Sequence, residues 1–318
     1  MVGYNGVPPL PGPPILTPKL DCIMRAELPA VVQHFNSSLD ISRAAAFGRA
    51  PHHQRPSNNC DPCVQLGQNS ARMSAPFTSA AVIGSTGLVG SQILATLLTT
   101  TSIKTTTISR RAPPNPTGTP NLNAIVEPDT TAWAAKLTAV TPTPHTVLSG
   151  LGTTRAAAGG WANQWKIDHD LNVELLRAAK AAGVKTFVFI SSAGTRGLVG
   201  SRAPYSKMKI GVEDALRDAG FDHAVVVRPG AILGTRETPQ TGGRLLNAAV
   251  RSMSFFGQGV QDAFGQEHDV IARAAVRAAQ IAAEGGAPDK YWVLESADIV
   301  RLGRTEWKDP AEKPAATA

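Results

Sequence analysis

Residues 79–98 read SAAVIGSTGLVGSQILATLL. A short apolar run, 79–83, meets Gly84, Gly87 and Gly90, and SQILATLL then follows with apolar residues at helical spacing. The pattern is strand, glycine turn, helix. Gly84 can turn sharply with φ > 0, Gly87 lets the backbone approach a pyrophosphate, and Gly90 lets the helix pack close to the strand. The turn Gly84-Ser85-Thr86-Gly87-Leu88-Val89-Gly90 thereby places phosphates at a helix N-terminus. There, unpaired N–H groups and the helix dipole favour anions. In this context the glycines read as a dinucleotide site rather than an ordinary tight turn.

Working outward, the next strand is 105–109, and it ends in Arg110-Arg111. An NAD site usually places a carboxylate here to accept bonds from the ribose 2′-hydroxyl, whereas arginines pair with a 2′-phosphate. The expected cofactor is therefore NADP, with NAD less favoured. Ile125-Val126 is a third strand, followed by Asp129 at the adenine edge. Residues 146–149 form a fourth strand that runs into Gly150-Leu-Gly152. The helix predicted over 168–182 has apolar residues at 171, 175, 176 and 179, and Gly183 closes it. Residues 185–190 and 222–227 read as further buried strands. Alternating strands and helices imply an α/β, doubly wound parallel sheet of Rossmann type.

The strand at 185–190 ends in Ser191-Ser192, and thirteen residues past Ser192 lies Tyr205, in Tyr205-Ser-Lys-Met-Lys209. On a helix over 205–217, Tyr205 and Lys209 share one face. An ammonium beside a phenol favours loss of the phenolic proton, so such a pair can exchange a proton with a carbonyl or alcohol oxygen. A serine hydroxyl can fix the same oxygen, and a nicotinamide supplies hydride.

With these residues in place, the sequence resembles the short-chain dehydrogenase/reductase superfamily, in the atypical branch that includes the Tat-interacting protein. Within it, the closest resemblance is to the fungal "found in mitochondrial proteome" family, protein fifty-two. The matching segments are AAVIGSTGLVGSQIL (80–94), ISRR (108–111), LSGLGTT (148–154), KIDHDLNVELLRAAKAAGVKTFVFISSAG (166–194), YSKMK (205–209) and VVRPGAILG (226–234). The resemblance implies that Ser192, Tyr205 and Lys209 form the family triad, with Ser191 as the alternative serine. It also implies that Lys209 binds the nicotinamide ribose, and that Pro229 and Gly230, after Arg228, lie beside the nicotinamide. Asn172 sits where related enzymes keep an asparagine, and a helix-surface role for it is equally open. A peripheral place on the mitochondrial outer membrane follows from the resemblance alone.

The chain has 318 residues with 42% hydrophobic and 17% charged residues, enough apolar content for a sizeable core. Its net charge of +7 is spread along the chain with no long basic run, so no nucleic-acid partner is expected. All three cysteines and ten of the 24 prolines precede residue 73. Residues 1–72 show no periodicity and read as a disordered lead or an extension of the gene model, with Met73 as a natural start. They lack the basic start and unbroken apolar run of a signal peptide. Cys60-Asp-Pro-Cys63 near His52 and His53 is a single pair, so no metal site is expected.

Residues 73–318 form the nucleotide-binding domain, with 235–318 a small region covering the substrate. Phe255, Phe256 and Phe264 are read as core residues more than pocket lining, and His268 as structural. The leading function is an NADP-dependent oxidoreductase acting on a small carbonyl or alcohol. Its rival is a non-catalytic NADP-binding module that reports redox state or acts as a scaffold. An acyl hydrolase is excluded because no Gly-x-Ser-x-Gly elbow occurs.

Overall fold

The computed structural model of the protein describes residues 77–113, 118, 120–197, 200–234, 255 and 258–308. The chain divides into two compact units, Met1–Gly67 and Gln68–Ala318, and every described residue lies in the second. The expectations for residues 1–72, Met73 and Phe256 therefore fall outside the described residues.

Seven strands form one parallel sheet: β1 (Ser79–Ile83), β2 (Lys104–Ser109), β3 (Leu122–Val126), β4 (Thr146–Ser149), β5 (Thr186–Ile190), β6 (His223–Val227) and β9 (Tyr291–Leu294). Their spatial order is β3-β2-β1-β4-β5-β6-β9. The chain runs outward from β1 to β3, then crosses back to β4. The ends of β1 and β4 thus bracket the point where strand order reverses, the place where open α/β sheets hold ligands. A second, two-stranded parallel sheet pairs β7 (Ala231–Leu233) with β8 (Gly265–Glu267).

Alternation along each strand divides the core into two layers. Ala80 and Val82 of β1 face one cluster with Leu148, Val188 and Val225, closed by the helices Leu88–Leu98 and His268–Ala283. Ala81 and Ile83 face the other, with Val147, Phe187, Phe189 and Val226, beneath the helices Trp133–Thr138, Asn172–Ala181 and Pro204–Asp218. Both faces of β1, β5 and β6 are covered, which is why their sequences are mostly apolar, whereas β2 buries three threonines.

The helix predicted over 168–182 has a more elaborate form. It begins as Trp161–Trp165, widens into a π-helical turn at Lys166–Leu171, and continues as Asn172–Ala181. Gly183, at φ +88°, lies one residue past the cap. The Val184 N–H donates to the Ala179 carbonyl and the Gly183 N–H to the Lys180 carbonyl, a Schellman stop. The C-terminal region differs from expectation in two respects. The His268–Ala283 helix and β9 are part of the main layers rather than a cover. Phe255 and Phe264 are 91% and 57% exposed, so neither is a core residue. The two-residue spacing of core positions that marks β1 is weak in the short Tyr291–Leu294 run, and only pairing with β6 defines it as a strand.

Candidate functional site

The glycine turn is built around close backbone contacts. Gly84 has φ +79°, and a Cβ there would lie 2.9 Å from the Leu151 backbone. A Cβ on Gly90 would lie 2.1 Å from the Gly84 carbonyl oxygen, closer than any real contact. The Gly87 N–H closes the turn on that carbonyl at 2.9 Å. Gly87 then caps the Leu88–Leu98 helix with no side-chain partner for the first N–H groups. Gly84, Ser85 and Gly90 act as packing beneath the turn. Thr86, Gly87, Leu88 and Val89 line a cavity of about 750 Å³, joined from β4 by Gly150, Leu151 and Gly152.

The two arginines after β2 part company. Arg111 lines the cavity with Ala112 and Pro113, while Arg110 is exposed and off its wall. The Ser109 hydroxyl donates to the Arg111 carbonyl at 2.7 Å and shapes this turn. Asp129 is not on the wall. Its carboxylate accepts from the Thr131 hydroxyl and N–H, which hold it below the usual carboxylate range. Pro229 and Gly230 also lie off the wall. The Gly230 N–H donates to Gln266, and a Cβ there would strike the Phe264 carbonyl at 2.5 Å.

Tyr205 and Lys209 both line the cavity, one turn apart on the Pro204–Asp218 helix, which Pro204 starts. Lys209 is 5% exposed. Its ammonium donates to the Ile190 carbonyl at 3.0 Å and lies 4.7 Å from the centre of the Phe189 ring. The serines differ from one another. Ser191 is on the wall and donates to Glu213, whereas Ser192 is off it, with a 3.5 Å contact to the Ala193 carbonyl. Glu213 is fully buried and also accepts from Arg196 and Arg228.

Three residues of this wall were not anticipated as part of a site: Asp168, Thr153 and His268. Asp168 is presented by the π turn. Its Oδ1 accepts from the Thr153 N–H at 2.6 Å and its Oδ2 from the Gln164 amide at 3.1 Å. Burial pushes its carboxyl up, outweighing the nearby Lys209 charge and both hydrogen bonds. Asn172 is buried, not on the helix surface. It accepts from the Ser149 hydroxyl at 2.8 Å and donates to the Ile167 and Asp168 carbonyls of the π turn. The sequence signal for Asp168 was its place one turn before Asn172.

The bare backbone at Gly84, Gly87, Gly90 and Gly150, the open helix N-terminus and the volume of the cavity suit a dinucleotide. Among the described residues, no group of three or more His, Cys, Asp or Glu could hold a metal ion.

Comparison with known proteins agrees with this geometry. Residues 80–261 match the model of the NAD dependent epimerase/dehydratase family. "Protein FMP52, mitochondrial" of Chaetomium globosum is 64% identical over 230 residues, spanning 72% of this chain and 98% of that protein. "Protein fmp-52, mitochondrial" of Neurospora crassa is 60% identical, spanning 73% and 98%. Among solved structures, the UDP-Glc/GlcNAc 4-epimerase of Campylobacter jejuni superposes with a TM-score of 0.51 at 13% identity, covering 70% of this chain and 82% of that one, a likeness of fold. The chain belongs to the NAD-dependent epimerase/dehydratase family, in the atypical short-chain dehydrogenase/reductase branch, and is a close homologue of the fungal mitochondrial FMP52 proteins.

Proposed function

We propose that the protein is an NADP-dependent oxidoreductase that acts on a small carbonyl or alcohol. The observation that carries this reading is the placement of Tyr205 and Lys209 on the wall of the same cavity as the glycine turn. Gly87 and the following N–H groups would hold the pyrophosphate, and Arg111, on the same wall, suits a 2′-phosphate. When bound, a nicotinamide gives or takes a hydride. The Tyr205 hydroxyl exchanges a proton with the substrate oxygen. Lys209 stabilises negative charge developing on that phenol, and Ser192 orients the substrate once its hydroxyl, off the wall here, turns from the Ala193 carbonyl toward the cavity.

We place the protein peripherally on the mitochondrial outer membrane. Its relatives carry mitochondrial names, and no helix among the described residues is long and apolar enough to cross a membrane.

The test is a screen of carbonyl compounds for NADPH oxidation by the full chain, repeated with Tyr205→Phe. Removing the transferable proton should lower kcat by about 10²–10⁴-fold and leave NADPH affinity nearly constant. Full-rate turnover by Tyr205→Phe would refute the assignment of the acid. NADPH binding with no turnover of any carbonyl compound would instead mark a non-catalytic redox-reporting module.

A further inference from the structure

Lys209 is buried, yet its hydrogen-bond acceptor is a neutral carbonyl and its ring neighbour is a neutral phenyl. A buried ammonium is costly unless an anion faces it. Asp168 has the converse problem. It is 1% exposed, and the Thr153 N–H and Gln164 amide that bind it are uncharged. Among the described residues that line the cavity, Asp168 is the one carboxylate.

Gly152 relates the two charges in space. A Cβ built on it would lie 3.8 Å from Asp168 Oδ1 and 3.8 Å from Lys209 Nζ. The carboxylate and the ammonium therefore face the same side of one bare glycine.

We propose that Asp168 is a positioning residue for Lys209, its carboxylate lying beside the ammonium over Gly152 and holding it on the wall that Tyr205 shares. This inference rests on the oxidoreductase reading in giving Lys209 a part in turnover. Asp168 lies within the π turn, and the Asn172 amide donates to the Ile167 and Asp168 carbonyls of that turn. Such turns recur at functional sites.

Among the described residues, Lys209 is the charged group that acts on Asp168. The Pro204–Asp218 helix contributes Lys209 and Tyr205, and the Trp161–Trp165 helix contributes the neutral Gln164. His169 and Asp170, next along the chain, pair with each other at 2.8 Å, and His169 packs on Gly211.

The experiment is carbon-13 NMR of the Asp168 carboxyl against pH, on the full chain without cofactor, in the unmodified protein and in Lys209→Met. Loss of the facing ammonium should raise the midpoint of Asp168 by about one to three pH units. An unchanged midpoint in folded Lys209→Met overturns the proposal. If Lys209→Met does not fold, the pH profile of turnover decides. The unmodified protein should lose rate as pH falls through the Asp168 midpoint, and Asp168→Asn should lack that acid limb. An identical acid limb in Asp168→Asn overturns the proposal. Should no carbonyl compound turn over, the oxidoreductase reading fails by itself, and the NMR titration still decides whether the two charges are paired.

Discussion

The Ser191 hydroxyl donates a 2.5 Å hydrogen bond to Oε1 of Glu213, so it meets the cavity with its lone pairs and not its proton. Ser192, next along the chain, keeps its hydroxyl out of that network. The two serines should therefore separate by experiment. Ser191→Ala leaves a buried carboxylate short of a donor and should cost about 1–3 kcal/mol of stability. Ser192→Ala should leave stability within about 0.5 kcal/mol of the unmodified protein and slow turnover about ten-fold. Urea unfolding and steady-state rates on the two variants test this, and a reversed pattern would assign the substrate hydroxyl contact to Ser191.

Glu213 makes stability depend on pH in a defined direction. Burial alone raises its carboxyl, but bonds from Arg228, Ser191 and Arg196 outweigh that, and the net direction is down. A carboxyl lowered by folding stabilises above its unfolded value, roughly 4.3, and that contribution is lost as pH falls through the folded value. Glu213→Gln removes the buried carboxylate that Arg228 and Arg196 share, while Glu295 and Asp214 still pair with them, and should cost about 1–3 kcal/mol at pH 7. The gap between variant and unmodified protein should shrink as pH falls below about 4. Unfolding midpoints measured from pH 3 to 7 check this. A gap that widens toward acid would contradict the direction given for Glu213.

Cofactor choice should follow Arg111 more than Arg110, because Arg111 is the one on the cavity wall. A charge-assisted contact to a 2′-phosphate contributes about 1.5–3 kcal/mol, and exposure puts this one at the low end. Fluorescence titration should show NADPH bound about ten-fold or more tightly than NADH, a preference Arg111→Ala removes and Arg110→Ala largely keeps. Equal affinities in the unmodified protein would end the NADP assignment.

Two glycines of this site, Gly90 beneath the turn and Gly152 on the cavity wall, should respond differently to alanine. At Gly90 the new methyl meets the Gly84 carbonyl at 2.1 Å, and neither backbone can yield without opening the turn. Gly90→Ala should cost about 1–3 kcal/mol or more and abolish measurable dinucleotide binding. At Gly152 the new methyl makes ordinary contacts at 3.8 Å, so Gly152→Ala should melt within a few degrees of the unmodified protein. Thermal melts of the two variants, with and without NADPH, provide the comparison.

The local chemistry of the chain carried much of this architecture. Strand, turn and helix at 79–98 were legible because apolar period and glycine placement are properties of neighbouring residues, and β1 spans the predicted residues without a shift. Tyr205 and Lys209 were legible for the same reason, since a helix puts i and i+4 on one face wherever it lies. What lay beyond the sequence depends on contacts between distant segments. The Tyr291–Leu294 strand exists only through its pairing with β6. Asn172 is buried where its side chain bonds the Ser149 hydroxyl from β4 and two carbonyls of the π turn, a junction of distant segments. The separation of Arg110 from Arg111, and of Ser191 from Ser192, comes from which way two adjacent side chains leave the end of a strand. Composition is nearly blind to that direction. Asp168 is the clearest case: in the sequence it is one acid among several on a helix, and only the packing of that helix against Gly152 and Lys209 makes it a buried counter-charge. Periodicity reports which face of an element is covered, but the identity of the group across the gap is decided by tertiary structure alone.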